Sequence, residues 1–406
     1  MLRRGRLALP AALCCAAVLV QALAPAPAAA SATDLIRDNQ QWVLQMMDVE
    51  AAWQLTQGAG VTVAVLDSGV DPDVSDLTGS VITGPDYTGV DTSSADPNWG
   101  VHGTWMASLI AGHGHDDGLD GILGIAPQSQ VLSIRVIPDR ADPHYGEYER
   151  ESEARIQQSL ADGIRYAVRH GAKVISMSIG YGAPSATVRA ALVAAYARGV
   201  VVLASAGNSG GSADSGQAGQ SPESFPADYP GVISVGAVDS SGSVADFSSD
   251  NLSVQVVAPG VSVPAQGRDG QYWWVSGTSP ACALVAGVAA LIKSMYPDLA
   301  PDLVASALTS TTTNRPPRGY DSQLGFGIVD AAAALARAGQ LARERPRPTG
   351  VAAGTRFGGG LAAVAPDPVG PRGSGLLILF SLLALLSLTV AGAASTRLAK
   401  LRRVRR

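Results

Sequence analysis

Five apolar runs constrain the fold of this chain more than any other feature. They are VTVAVLD (Val61 to Asp67), VLSIRVI (Val131 to Ile137), AKVISMSIG (Ala172 to Gly180), VVVLASAG (Val200 to Gly207) and GVISVGAV (Gly231 to Val238). Each is short and rich in β-branched residues, and its hydrophobicity is continuous rather than alternating. That is the pattern of strands buried on both faces in a parallel sheet. Between them, Glu153 to His170 and Thr187 to Arg198 have helical spacing, with Gly171 and Gly199 where helix-ending glycines belong. Ser279 to Met295 reads as a third helix, ended before Pro297. Strands alternating with helices predict a doubly wound α/β domain, a mostly parallel sheet with helices on both faces.

The two ends of the chain read differently. Residues 1–30 carry Arg3, Arg4 and Arg6, then the apolar run Leu7 to Leu23, then small residues at Ala28 to Ala30. This is the layout of a secretory signal peptide. Residues 375–395 open with GLLILFSLLALLSLTVAGAA, twenty residues without a charge, long enough for a transmembrane helix. The tail at 396–406 holds Arg397, Lys400, Arg402, Arg403, Arg405 and Arg406, which the positive-inside rule keeps in the cytoplasm. The expected organisation is signal peptide 1–30, N-terminal extension 31–58, α/β domain 59–338, Pro/Gly/Ala-rich tether 339–374, membrane span 375–395 and cytoplasmic tail 396–406. The protein is then a single-pass cell-membrane protein with its domain outside the cytoplasm.

Charge and cysteine usage narrow the partners. The net charge of -5 conceals an asymmetry, because nine of the 29 Lys and Arg lie in the signal peptide and tail. The exported part keeps 20 against 34 acids, near -14, which argues against nucleic acid as a partner. Cys14 and Cys15 lie in the signal peptide, so Cys282 is the one remaining thiol and no internal disulfide can form. A domain of this length can be stable on its core alone. Three residues past Ser279, Cys282 reads as a small core residue.

VSGTSPACALVAG (Val275 to Gly287) places Ser279 at the start of a helix. Serine followed by proline fits a helix cap as well as a nucleophile, and the stretch alone does not separate the two. A nucleophilic serine needs a base and an orienting acid. Asp67 ends the first strand in VAVLDSGVD, and His102 stands before helix-forming residues in WGVHGTWMASLIAG. Asp67 also fits a turn residue and His102 a plain surface or core histidine. His113 and His115 sit in GHGHDDGLDG, whose metal-binding potential lacks a spaced set of further ligands; His144 is in a polar loop and His170 at a helix end. No histidine follows Ser279, which excludes the Ser, Asp, His order of the α/β-hydrolases, and no lysine lies three residues past a serine candidate to support a Ser-Lys pair. The order Asp67, His102, Ser279 matches the subtilisin solution. Asn208, in VVVLASAGNSG, follows a buried strand and offers an amide donor for an oxyanion.

VAVLDSGVD, HGTWMASLIAG, ASAGNSG and SGTSPACALVAG together resemble the four motifs of the subtilisin family of serine proteases, in order, over about Val61 to Ala338. The resemblance implies that Asp67 orients the imidazole, His102 is general base and then acid, and Ser279 attacks the carbonyl. Asn208 and the Ser279 N–H would form the oxyanion hole. It also implies that Ser178, Ile179 and Gly180, with Ser205, Ala206 and Gly207, wall the S1 pocket, where the absence of charge favours an apolar P1 residue. The chain departs from the family at Pro280, Ala283 and Leu284, where a bulky residue, proline and histidine are usual.

The short extension DLIRDNQQWVLQMMDVEAAWQ, the domain, the tether and the span resemble the mycosins, membrane-anchored subtilisin-like proteases associated with type VII secretion. Mycosins commonly carry disulfides, which this chain lacks. The resemblance implies an extracytoplasmic serine endopeptidase acting on a protein or peptide substrate, with the type VII machinery as partner and no catalytic metal or organic cofactor. Its alternative is a structural subunit of a secretion complex with dispensable activity.

Overall fold

The computed structural model describes residues 32–115, 120–211 and 221–344, all within the unit Met1–Arg345. The signal peptide, membrane span and basic tail expected from the sequence lie outside the described residues. In chain order, α1 (Ala32–Met46) and α2 (Val49–Trp53) lead into β1 (Thr62–Asp67) and β2 (Val81–Asp86). Next come α3 (Val101–Ala111), the short strands β3 (His113–His115) and β4 (Asp120–Leu123), then β5 (Gln130–Arg135) and α4 (Tyr145–Glu149). The second half alternates α5 (Glu153–Arg169), β6 (Val174–Met177), α6 (Ala186–Ala197), β7 (Val201–Ser205), β8 (Val232–Val238) and β9 (Val254–Pro259). The hairpin β10 (Val263–Gln266) and β11 (Tyr272–Val275) precedes α7 (Thr278–Met295), α8 (Pro301–Ser310) and α9 (Ala331–Arg343).

Seven strands form one sheet in the order β2-β5-β1-β6-β7-β8-β9, and every pairing in it is parallel. All five apolar runs are strands of this sheet. Their continuous hydrophobicity has a direct cause in packing. Val63 and Val65 of β1 face a core shared with α3 and α7, whereas Ala64 and Leu66 face α5 and α6. β7 repeats this, with Val201 and Leu203 on one side and Val202 and Ala204 on the other. Because full burial of a Val or Leu side chain is worth about 1.5–3 kcal/mol, both faces favour apolar residues, and alternation with polar ones is lost.

Gly171 and Gly199 follow α5 and α6 at positive φ, as expected of C′ glycines. Among the described residues α7 is the helix long and apolar enough to cross a membrane, but it is the central core helix, buried from Pro280 to Lys293. The N-terminal extension is part of the same core, since Val43, Leu44, Met47, Val49 and Ala52 are buried in it. Polar contacts fix it further: Arg37 Nε donates to Gly121 O at 2.9 Å and Trp53 Nε1 to Ile125 O at 2.9 Å. The boundary expected at residue 339 differs from the structure, because α9 continues to Arg343. Leu335, Ala338 and Leu341 recur at helical spacing and are buried, so their packing carries the helix past Gly339.

The chain runs from β1 out to the edge strand β2 and back to β5 between them, then crosses to β6 on the other side of β1. The strand order therefore reverses beside β1, and the carboxyl ends of β1 and β6 flank the crevice that such a reversal opens.

Candidate active site

Asp67 is the last residue of β1 and is buried. Its Oδ1 accepts the backbone N–H of Ser68 at 2.7 Å and faces Nδ1 of His102 at 2.8 Å. A carboxylate at this position accepts only, so the imidazole is the tautomer with its proton on Nδ1, and Nε2 is left with its lone pair. His102 is the second residue of α3, and its side chain is 31% exposed. Burial pushes its pKa down, but the charge of Asp67, the hydrogen bond to it and the field of Asp139 outweigh that and hold it above the ordinary histidine value.

The position of α3 is fixed from behind. Gly103 N donates to Ser68 Oγ at 3.0 Å, and Asp71 N to Thr104 Oγ1 at 2.9 Å. Asp139, in the loop after β5, caps the helix: its Oδ2 accepts from Val101 N at 2.8 Å and its Oδ1 from His102 N at 3.1 Å. A carboxylate there satisfies two orphan amides and complements the helix dipole. Burial and the nearby charge of Asp67 push the Asp139 carboxyl up, against hydrogen bonds from His102 and Ser68 that favour its charged form. No motif in the sequence marks Asp139. Under the Asp67 turn, the buried Arg135 guanidinium donates to Ser68 O at 3.1 Å and pairs with Asp86 and Asp142.

Ser279 is the second residue of α7. The N-cap is Gly277, at φ 150°, a backbone setting that favours glycine, so the capping alternative for Ser279 does not hold. The Ser279 N–H lies in the first turn of a helix, where amides lack an intrahelical partner. Asn208 follows β7, and its Oδ1 accepts from both Thr278 N and Thr278 Oγ1 at 2.9 Å. With its oxygen held by two donors, the amide keeps Nδ2 beside Gly277, 3.4 Å from where a Cβ on that glycine would sit. Cys282 is wholly buried, and burial pushes its thiol up to about 12, as befits an inert core residue.

His102 and Ser279 line one cleft of about 190 Å³ with Trp105, Met106, Trp273, Trp274, Val275, Ser276 and Pro280. A larger apolar groove lined by Leu192, Val193, Tyr196 and Val232 lies at the amino ends of β7 and β8, opposite these groups. The cleft, and not this groove, holds the chemistry. The structure thus brings Asp67, His102, Ser279 and Asn208 to one end of the sheet.

The two triplets expected to wall S1 leave the carboxyl ends of the paired strands β6 and β7. Ser178 Oγ donates to Ser279 O at 3.3 Å, and Gly207 N to Thr278 Oγ1 at 3.2 Å. Ser224, also missed in the sequence, lies against both: Cβ atoms built on Gly180 and Gly207 would fall 2.7 and 3.3 Å from its Oγ. His113 and His115 bond elsewhere, His115 Nδ1 to Asp76 Oδ1 at 2.7 Å. Among the described residues no group of three or more His, Cys, Asp or Glu is placed to hold a metal ion.

Residues 58–327 match the peptidase S8 description, the subtilase family. The chain belongs to the subtilase family. It is 36% identical over 278 residues to subtilisin DY of Bacillus licheniformis, covering 68% of this chain and 92% of that one. Thermitase of Thermoactinomyces vulgaris is 33% identical over 256 residues, 63% of this chain and 83% of that protein. Among solved structures, MycP1 from Mycobacterium smegmatis superposes with a TM-score of 0.60 at 29% identity, covering 72% of this chain and 84% of that one. MycP3 protease from the type VII (ESX-3) secretion system gives 0.59 at 31% identity, over 72% and 87%. The subtilase domain is a subtilisin-like serine endopeptidase, and its structural neighbours are mycosins.

Proposed function

We propose that this subtilase cleaves peptide bonds outside the cytoplasm through an acyl-enzyme on Ser279, tethered to the cell membrane by residues 375–395 and acting with a type VII secretion machinery. The observation that carries the catalytic part is the pairing of His102 Nδ1 with the buried Asp67 at 2.8 Å, in a cleft shared with Ser279.

Ser279 Oγ attacks the scissile carbonyl carbon while His102 Nε2 takes its proton. Negative charge moves to the carbonyl oxygen, where Asn208 Nδ2 and the Ser279 N–H donate to it. The imidazolium, held by Asp67, then gives its proton to the leaving nitrogen as the C–N bond breaks. Water attacks the acyl carbon with His102 as base again, the ester bond to Oγ breaks and the proton returns to Ser279. The triplets 178–180 and 205–207 line the acyl half of the substrate as neighbouring strands. The domain order expected from the sequence, 59–338 between a signal peptide and a span, gives this site its compartment. The fold likeness to a protease of the type VII (ESX-3) secretion system supports the partner.

The test is a Ser279→Ala exchange in the native cell. Mass spectrometry of the secreted proteins is expected to show loss of specific cleaved N-termini, and added protease is expected to reach the domain but not residues 396–406. Unchanged cleavage products would sink the catalytic reading, and unaltered secretion despite lost cleavage would assign the machinery a non-catalytic need for this chain.

A further inference from the structure

Two indoles stack in series beside His102, and Trp274 lines the same cleft. Trp105, one helical turn further along α3, meets the imidazole edge to face, with centroids 6.1 Å apart at 69°. Trp273 of β11 tilts against Trp105 at 5.9 Å and 55°. Gly267 makes this possible, since a Cβ there would lie 2.5 Å from Trp105 Nε1 and 2.7 Å from Trp273 Cδ1. The hairpin is anchored by Tyr272, whose hydroxyl donates to buried Asp76 at 3.1 Å, and by Arg268 Nη1 donating to Trp99 O at 2.6 Å. Yet Trp273 and Trp274 remain 51% and 54% exposed. Large aromatic surface left in water on a fixed frame marks a recognition site.

The position of this wall assigns its ligand. Asn208, Ser178 and Gly207 hold the Thr278–Ser279 turn from the β6 and β7 side, where the oxyanion and the acyl half of a substrate belong. None of residues 178–180 or 205–208 lines the indole cleft. The cleft instead adjoins His102, which must reach the leaving nitrogen, and Pro280 just past the nucleophile. At about 190 Å³ it is smaller than the roughly 300–1,000 Å³ of a small-molecule site and fits one side chain. Apart from His102 its lining carries no ionisable group.

Resting on the acyl-enzyme reading above, we propose that Trp105, Trp273 and Trp274 form a subsite for an aromatic or large aliphatic side chain within the first two residues after the scissile bond. The protein then selects its substrates on the leaving-group side through these residues.

The test uses the full chain in detergent and internally quenched peptides with one constant acyl half, carrying Phe, Leu, Gly or Asp at the first and second positions after the cleaved bond. The expected result is a kcat/KM preference for Phe or Leu over Gly of about 10-fold or more, the scale of one apolar group in a pocket. The preference is expected to collapse in Trp273→Ala with Trp274→Ala and to survive in the matching Phe exchanges, with unfolding midpoints confirming that both sets are folded. A wild type indifferent to these positions, or a preference that persists in the alanine pair, overturns the subsite. Fluorophosphonate labelling of Ser279 is read separately: without labelling the acyl-enzyme reading fails and the subsite falls with it, whereas labelled protein that shows no such preference overturns the subsite alone.

Discussion

Gly103→Ala sets two effects of known sign against each other. Gly103 is the third residue of α3, immediately after His102, and alanine in a helix is favoured over glycine by up to about 1 kcal/mol. The structure opposes that gain. A Cβ on Gly103 would lie 2.0 Å from the carbonyl oxygen of Gly69 and 3.3 Å from Asp67 Cβ, and the first obstacle is backbone, which cannot rotate away. Restoring ordinary van der Waals contact requires α3 and the Asp67 turn to separate by more than 1 Å. Overpacking of this kind costs roughly 1–3 kcal/mol, which exceeds the propensity gain. The same shift stretches the 2.8 Å contact between His102 and Asp67, and a displacement of about 1 Å in a catalytic group costs on the order of 100-fold in rate. The assay is kcat/KM on a quenched peptide, with the thermal midpoint, beside Gly146→Ala in α4. Nothing lies within 4 Å of the Cβ that Gly146 would gain, so that exchange is expected to leave stability unchanged or improved. A Gly103→Ala protein as active and as stable as the Gly146→Ala protein would refute the reasoning.

Asn208→Ala is expected to lower kcat by about 100 to 1,000-fold with little change in KM, a magnitude measured in a subtilisin and carried over here; a purely KM effect would remove Asn208 from the oxyanion. The pH dependence follows from His102, whose pKa is raised above the ordinary 6.5, with burial opposed and outweighed by Asp67, its hydrogen bond and Asp139. Activity needs the neutral imidazole, so it falls as pH drops through that raised value. The stability contributed by the His102–Asp67 pair has the opposite sense: it is full below about 6.5 and is lost as pH rises through the raised value. Asp139→Asn removes one of the charges that raise it, so the acid limb of kcat/KM against pH moves to lower pH; an unmoved limb contradicts the role given to Asp139.

The parts of this protein legible in the sequence are those encoded locally. A strand buried on both faces is apolar at most positions on both, with the occasional buried serine and the ion-paired Arg135, so β1, β5, β6, β7 and β8 announce themselves. β2, VITGPD, does not, because it is a half-exposed edge strand interrupted by Gly84 and Pro85. The hairpin of β10 and β11 is equally hidden: YWWV is half exposed, and its indoles take meaning from Trp105, which lies 168 residues earlier in the chain. Asp67, His102, Asn208 and Ser279 are recoverable because each sits at a strand end or helix start with glycines around it. Asp139 is not, since its partners at the start of α3 are 37 and 38 residues away and nothing in IPDRADP distinguishes one loop carboxylate from another. Whether Ser279 caps α7 also lay beyond the sequence, because that turns on Gly277, which takes the N-cap position at φ 150°.

The central claim is that Ser279 is an activated nucleophile served by His102. Fluorophosphonate labelling of the purified protein, with the modified residue located by mass spectrometry, tests it most directly beside Ser279→Ala and His102→Ala. Labelling at Ser279 in the wild type that is absent from both exchanges is the predicted result; a folded wild type that labels no better than either variant would contradict the account.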